Sequence, residues 1–154
     1  MREVIAQVVG NENVQGEAAI ENYRQNVSGL QRAIRLVVTP ISAAQVTSLV
    51  RLANEKGLKL YPISSGRNWG LGSKLPVVDN CVIVDLQKMN RILELNEQHG
   101  YVVIEPGVTQ IQLYEYLQKQ RSNYIFNVIG SGQGTSLIGN AMDRGIGYFS
   151  ARKL

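Results

Sequence analysis

Tyr61-Pro62-Ile63-Ser64-Ser65-Gly66-Arg67-Asn68-Trp69-Gly70-Leu71-Gly72 is the stretch around which the rest of this 154-residue chain is best interpreted. The short apolar run before it, Leu58 to Leu60, predicts a buried strand, and the glycines and polar residues from Ser64 to Gly72 predict a loop. Glycines admit positive φ and a close ligand, and successive main-chain N–H groups in such a loop can bind an anion. Arg67 adds a cation suited to phosphate oxygens. These residue types fit a pyrophosphate cradle, and they fit a plain surface turn about equally well.

The residues before this stretch predict a strand–helix–strand unit. Ile34 to Val38 is rich in β-branched residues, which predicts a strand. Ser42-x-x-Gln45 is a capping box and Gly57 is a C-terminal cap, so a helix is expected between them. Because the run from Leu58 follows directly, the two strands are expected to be parallel. The predicted apolar face of the helix comprises Val46, Leu49, Val50 and Ala53.

The rest of the chain predicts two more helices, a hairpin and a second glycine-rich loop, with Asn13 to Asn26 as irregular chain. The predicted helices are Val4 to Val9 and the segment from the Thr109-x-x-Gln112 capping box to about Gln120, with Leu113, Tyr116 and Leu117 on one face. The predicted strands are Cys81 to Val84, Tyr124 to Val128, and a hairpin of Arg91 to Asn96 with Tyr101 to Ile104. The second glycine-rich loop is Ile129 to Ser136.

Composition limits the classes of function. The net charge is +4 without a dense basic run, and aromatic residues are few, so nucleic acid is a weak candidate partner. Cys81 is the single cysteine, which excludes an internal disulfide, and its apolar neighbours predict a core position. The start of the chain lacks a signal-peptide layout, and no apolar run is long enough for a membrane span. We expect a soluble cytoplasmic protein without a membrane partner.

The sequence offers few candidates for catalysis or metal binding. His99 is the single histidine and falls in the predicted hairpin turn, where an exposed position is favoured over a catalytic or metal-binding one. No set of residues has metal-ligand spacing, and no nucleophile–histidine pair can be built. Asp143 and Arg144 fit either a local ion pair or a carboxylate that accepts hydrogen bonds from ribose or adenine. Tyr148 fits a core position, slightly favoured, or a phenol that faces a ligand.

Four motifs occur in order along the chain. They are Pro62 to Gly72, similar to P-I-S-x-G-R-N-x-G-Y-G; Val84 to Ile92, similar to V-D-L-x-x-M-N-R-I; Glu105 to Thr109, E-P-G-V-T; and Gly139 to Tyr148, similar to G-N-A-x-[DE]-R-G-x-G-Y. Together they resemble the FAD-binding domain of the vanillyl-alcohol oxidase and p-cresol methylhydroxylase family of flavoenzymes. Each motif alone is weak, whereas four in order with the right spacing are a strong signal, and they favour the cradle interpretation of the first loop.

The resemblance implies FAD as the cofactor and assigns residues to it. The residues that would wrap the pyrophosphate are Ser64, Ser65, Gly66, Arg67, Asn68, Trp69 and Gly70. Those that would line the cofactor from the other side are Ser136, Gly139 and Asn140. The resemblance further implies that Asp143 reaches the adenosine end, and that Gly145 and Gly147 let the chain pass close to the cofactor, with Tyr148 near the substrate side.

Three departures from the family pattern limit what the resemblance implies. Leu71 stands where phenol-oxidising members have Tyr, and Ser131 falls about where they carry Asp, so the resemblance does not extend to a para-phenolic substrate. Relatives that tether the flavin through this loop have His where the present chain has Arg67-Asn68, so no histidyl anchor is implied. The residues after Tyr148 depart from the family tail at once.

We therefore expect an α+β fold in which residues 1–154 form the N-terminal part of a PCMH-type FAD-binding domain. It would hold a first subdomain with the βαβ unit and the start of a second, antiparallel subdomain, without a substrate-binding cap. The expected function is the FAD-binding part of an FAD-linked oxidoreductase, in which hydride passes from an alcohol or similar substrate to the flavin of the complete enzyme, with no turnover by this chain alone. The alternatives are a truncated nucleotide-binding module completed by a second chain, and a self-associating module that has lost the cofactor.

Overall fold

A computed structural model describes residues 1–24, 26, 28–67, 74–145 and 147–148 of the chain. The described helices are α1 (Arg2–Val9), α2 (Glu17–Arg24), α3 (Ala43–Lys56), α4 (Gln110–Lys119) and α5 (Leu137–Met142). The described strands are β1 (Ile34–Val38), β2 (Lys59–Ile63), β3 (Cys81–Asp85), β4 (Ile92–Asn96) and β5 (Tyr101–Ile104). One sheet is parallel and one is antiparallel, in agreement with the predicted α+β class.

The parallel sheet has the strand order β1-β3-β2. All five residues of β3 are buried, as expected for a central strand that is covered on both faces. One face of the sheet packs on α1 and α3 around Ile5, Val9, Leu36, Val38, Leu49, Val82 and Val84. The other face packs on α2 around Ile20, Tyr23, Ile34, Val37, Ile63 and Ile83. The predicted strand–helix–strand unit forms as β1-α3-β2 with parallel strands, but β3 lies between its two strands.

Local signals explain where α3 begins and ends. The Ser42 hydroxyl accepts a hydrogen bond from Gln45 N at 3.3 Å, and Gly57 closes the helix with φ of 63°. The Gln45 side chain accepts from Ile41 N and not from Ser42 N, so the predicted capping box is only half formed. The predicted apolar face was wrong at Val50, which is 44% exposed. Leu52 is buried in its place, because α1 and the sheet contact the side of the helix that carries Leu49, Leu52 and Ala53.

The antiparallel hairpin and α4 agree with their sequence signals. β4 and β5 pair as predicted, and His99 lies exposed in the turn between them. The Thr109 capping box is complete: Gln112 Oε1 accepts from Thr109 N at 2.9 Å, and Gln112 N donates to Thr109 Oγ1 at 3.4 Å. Leu113 and Leu117 are the buried apolar residues of the helix. Cys81 lies in the core, as predicted.

Three predicted elements differ from the structure. The segment from Asn13 to Asn26 was predicted as loop but contains α2, which the sheet stabilises by burying Ile20 and Tyr23. Residues 124–128 do not form the predicted strand, because no neighbouring strand pairs with them, and Ile125 is 79% exposed. β2 extends beyond Leu60 to Ile63, which pairs with Asp85. None of the described helices is long and apolar enough to cross a lipid bilayer.

Candidate cofactor-binding site

A cleft of about 710 Å³ separates the loop after β2 from the chain around α5. Its volume lies within the range of small-molecule and cofactor sites, roughly 300–1,000 Å³. The cleft opens at the carboxyl end of β2, the edge of a parallel sheet at which ligands usually bind. The predicted site residues that line it are Ser64, Ser65, Gly66, Arg67, Ser136, Gly139, Asn140, Asp143 and Gly145.

One hydrogen bond joins the two glycine-rich loops across 71 residues of sequence. Ser136 N donates to Ser65 Oγ at 3.1 Å. Ser136 is almost completely buried, and its own hydroxyl donates to Pro106 O at 2.6 Å and accepts from Gly139 N at 3.0 Å. The last contact makes Ser136 the N-cap of α5. Ser136 therefore fixes the second loop, the E-P-G-V-T turn and the start of α5 against the first loop.

Side chains of the first loop require a glycine in the second loop, Gly134, and a glycine in α5, Gly139. A Cβ at Gly139 would overlap Ser64 Oγ, and a Cβ at Gly134 would overlap Arg67 Nη1. In the first loop, Gly66 has φ of +60°, a left-handed conformation that glycine tolerates best. The Ser64 hydroxyl therefore lies close to the main chain of Gly139, and the Arg67 guanidinium lies close to the main chain of Gly134, because neither glycine has a side chain. This arrangement brings donors and a fixed cation to one wall of the cleft.

Gln110 holds the second loop in shape. Its side chain is buried at the first turn of α4, donates from Nε2 to Gly132 O at 2.9 Å and to Ile129 O at 3.2 Å, and accepts from Ile129 N at 2.8 Å. A further main-chain bond runs from Gln110 N to Thr135 O at 3.0 Å. This role could not be predicted from the sequence, because no local pattern distinguishes a buried Gln at a helix start from an exposed one.

Tyr61, on β2, and the C-terminal end of α5 also line the cleft. Burial raises the pKa of the Tyr61 phenol, and the charge of Asp143 raises it further. The phenol therefore stays protonated at neutral pH and can donate a hydrogen bond into the cleft. Asn140 Nδ2 donates to Gly145 O at 3.3 Å, and a Cβ at Gly145 would overlap the Asn140 side chain, so these two residues fix the chain after the helix.

Ser131 and Thr135 bond to each other within the second loop. Ser131 Oγ donates to Thr135 Oγ1 at 3.0 Å, and Thr135 Oγ1 donates to Ser131 O at 2.9 Å. Both residues line the cleft. Ser131, at the position where the resemblance would place a carboxylate, is thus a neutral residue engaged in the loop's own hydrogen bonds.

Several predicted residues are not brought to the cleft. Tyr148 is 73% exposed, so the core position favoured from its sequence was wrong, and it is not among the residues that line the cleft. Asn68, Trp69 and Gly70 lie outside the described residues. Asp143 and Arg144, which are both described, form no ion pair with each other. The described residues also contain no group of three or more His, Cys, Asp or Glu side chains that could hold a metal ion.

Sequence reasoning missed much of the apolar lining. The additional residues include Tyr61, Leu86, Pro106, Ile129, Ile138 and Met142. Tyr61 and Ile129 directly flank the two glycine-rich loops, and this adjacency was the signal available to find them. Apolar residues at the ends of strands and loops otherwise look like ordinary core.

Comparison with known sequences identifies one family across most of the chain. The family described as an FAD binding domain matches residues 34–153. The chain is 47% identical over 114 residues to 1'-carboxy-chondrochloren decarboxylase of Chondromyces crocatus, covering 74% of this chain and 21% of that protein. It is 37% identical over 122 residues to the 4-cresol dehydrogenase [hydroxylating] flavoprotein subunit of Pseudomonas putida, covering 79% of this chain and 23% of that protein.

Comparison with solved structures gives the same grouping. The fold is similar to p-cresol methylhydroxylase with substrate bound, with a TM-score of 0.90 and 32% identity over 96% of this chain and 29% of that one. It is also similar to the 4-ethylphenol oxidase of Gulosibacter chungangensis in complex with isoeugenol, with a TM-score of 0.88 and 32% identity. The chain spans between 21% and 29% of the lengths of these four proteins.

Proposed function

The chain belongs to the FAD-binding domain family of FAD-linked oxidoreductases, and we propose that its cleft holds the pyrophosphate of FAD between residues 64–67 and 136–145. The observation that carries this proposal is the hydrogen bond from Ser136 N to Ser65 Oγ at 3.1 Å. It holds two glycine-rich loops, far apart in sequence, at the two sides of one cleft. Loops of this composition suit a pyrophosphate, because their main chain can come close to its oxygens.

The residues present fit this cofactor. The cleft is lined by Ser64, Ser65 and Arg67 of the first loop and also by Tyr61 and Asp143. Arg67 supplies the positive charge that phosphate oxygens need. Asp143 is an acceptor suited to ribose hydroxyls or the adenine amino group, and the apolar lining can hold a flat ring. Asn68, Trp69 and Gly70 are proposed to continue the phosphate-binding wall on the basis of sequence.

In this proposal the cofactor supplies the redox chemistry, and the residues of the cleft bind and orient it. FAD, when bound, supplies the two-electron redox chemistry of an oxidoreductase. Ser64, Ser65, Gly66 and Arg67 bind and orient its anionic centre, while Asp143 selects the nucleotide end. We propose that in the whole protein an alcohol or similar substrate is oxidised, and that residues 1–154 alone bind FAD without turnover. A cytoplasmic location remains a prediction from sequence.

The test uses a substitution at the closest approach of the two walls. Gly139→Ala places a methyl group where the Ser64 hydroxyl lies, so that hydroxyl must turn away. We expect the wild-type chain to bind FAD saturably, measured by quenching of its single tryptophan, Trp69, and by flavin absorbance. In Gly139→Ala we expect the dissociation constant to rise about tenfold, the loss of one charged hydrogen bond. Unlabelled ADP should compete, because it carries the same pyrophosphate and adenosine.

The matched control is Gly16→Ala, since a Cβ at Gly16 meets open space and lies outside the cleft. It should leave the dissociation constant unchanged. The proposal fails if the wild-type chain shows no saturable binding, or if Gly139→Ala and Gly16→Ala bind FAD equally well.

Several large apolar side chains are exposed to solvent. Among the exposed large apolar side chains, Ile125 and Met142 are each 79% exposed and Tyr148 is 73% exposed. Met142 also lines the cleft, so one of these exposed side chains lies at the proposed cofactor site. We propose that these side chains are covered by protein outside the described residues: a second copy, another chain, or a further part of the whole protein.

A further inference from the structure

A buried carboxylate lies directly behind the first loop. Asp85 ends β3, is 2% exposed and pairs in register with Ile63, the residue before Ser64. Tyr23 Oη donates to Asp85 Oδ2 at 2.8 Å, and Gln87 donates to both carboxylate oxygens, from N at 3.0 Å and from Nε2 at 2.9 Å. Burial raises the pKa of Asp85 above its ordinary value, although the hydrogen bonds from Gln87 and Tyr23 and the charge of Lys74 act against this shift. These three hydrogen bonds fix the position of the Asp85 carboxylate.

Lys74 connects this carboxylate to the loop. Its Nζ lies 4.9 Å from the centroid of the Tyr23 ring, a cation–π contact, and its charge acts on Asp85. The methylene stem of the same side chain crosses Gly66, where a Cβ would lie 2.6 Å from Lys74 Cγ and 2.8 Å from Lys74 Cε. The ammonium is thus drawn towards Tyr23 and Asp85 while the stem covers the left-handed glycine of the loop.

We propose that Tyr23, Asp85 and Lys74 form a positioning cluster that fixes Gly66 and its neighbours for pyrophosphate binding. Tyr23 belongs to α2, which precedes residues 34–153, the part of the chain that the family match covers. The N-terminal segment that precedes the family match therefore acts on the cofactor loop. The three residues are positioning residues, because they act on the cofactor through Gly66 and do not line the cleft. The effect on FAD rests on the proposed function, whereas the effect on the loop does not.

The first measurement is amide hydrogen exchange of Ser136 in the full chain without FAD, because the Ser136 N–H donates to Ser65 Oγ and its protection reports the position of the first loop. Tyr23→Phe keeps the ring beneath Lys74 but removes the donor to Asp85, and Lys74→Ala removes the stem and the charge. We expect exchange at this amide to become about tenfold faster in both variants, because the first loop, which carries Ser65, is held less firmly. Leu49 N in α3 serves as the internal reference, since general destabilisation would accelerate it as well.

The second measurement is FAD titration of the same proteins, with an expected rise of the dissociation constant of about three- to tenfold. Tyr114→Phe and Lys59→Ala are the matched controls, because Tyr114 and Lys59 are exposed and lie outside the cluster. Both controls should leave exchange and affinity unchanged.

The outcomes separate the two proposals. If the wild-type chain does not bind FAD, the proposed function fails, and exchange still decides whether the cluster positions the loop. If Ser136 exchanges within about twofold of the wild type in both variants, or if Leu49 accelerates equally, the positioning role is overturned. If Ser136 accelerates while Leu49 does not, and FAD affinity falls as well, the role is established.

Discussion

Glu105 is a nearly buried carboxylate whose partner reaches it from the surface. Its side chain is 7% exposed against 67% for Arg91, and Arg91 Nη2 donates to Glu105 Oε1 at 2.7 Å. Arg91 N adds a bond to Glu105 Oε2 at 2.8 Å. The hydrogen bonds from Arg91 lower the pKa of Glu105 below its ordinary value, although burial acts against them. The folded state therefore favours the charged form of Glu105 more than the unfolded state does.

This linkage predicts a change of stability with pH. Because the pKa of Glu105 is lower in the folded state than in the unfolded state, its ionisation stabilises the fold. This stabilisation is fully present above the pKa of the unfolded state, about 4.3, and is lost as the pH falls through the pKa of the folded state. We expect the difference in unfolding free energy between the wild type and Glu105→Gln, measured by urea denaturation, to shrink as the pH is lowered from about 6 to about 3. The pKa of Asp85 is raised, but Asp85 is present in both proteins, so its contribution cancels in the difference between their unfolding free energies. A difference that stays constant over this range would contradict the assignment.

At the scale of elements, the second loop depends on the helix that precedes it. Gln110→Ala would leave Ile129 N, Ile129 O and Gly132 O without their side-chain partner. Because these groups are in a largely buried setting, we expect a loss of about 1–3 kcal/mol in the free energy of unfolding, measured by urea denaturation.

The control for this substitution lies in the same helix. Gln118 is exposed, and its side chain makes no hydrogen bond to another described residue. Gln118→Ala should therefore change the stability by no more than about 0.5 kcal/mol. Equal losses in the two variants would mean that Gln110 does not hold the loop.

The elements that the sequence predicted well are those with strong local signals. The caps at Ser42, Gly57 and Thr109 and the apolar run at Cys81 are set by chemistry within a few residues. α2 was missed because its polar sequence gains most of its stability from two residues, Ile20 and Tyr23, that pack on a sheet formed later in the chain. The position of β3 between β1 and β2 is likewise a tertiary property that no local pattern reports.

The residues of the candidate site also include some that the sequence could predict and some that it could not. Glycines and small polar residues in loops are visible in the sequence, so Ser64, Gly66 and Gly139 could be singled out before the structure. Gln110 and Tyr61 could not, because their roles depend on what faces them across the fold. Tyr148 was misplaced because an aromatic residue after a glycine-rich run looks the same in sequence whether it is buried or exposed.

At the scale of the whole molecule, the proposal that protein covers the exposed side chains of Ile125, Met142 and Tyr148 predicts association. If a second copy covers these side chains, we expect the weight-average mass in sedimentation equilibrium to rise with concentration, and Met142→Gln to weaken the effect. Val77→Ser is the control, because Val77 is 74% exposed but lies in a different part of the chain. A monomer at all concentrations would exclude the second copy and leave another chain, or a further part of the whole protein, as the cover.

The bond between Ser65 and Ser136 also has a consequence for how the protein is made. Contacts between residues far apart in sequence form slowly, because the long intervening chain must first lose its freedom to move. The sheet and the hairpin each form from nearer segments, so the cleft closes only after residue 136 has been synthesised and both parts have folded. On the ribosome, the capacity to bind a cofactor is therefore the last property that this stretch of chain acquires.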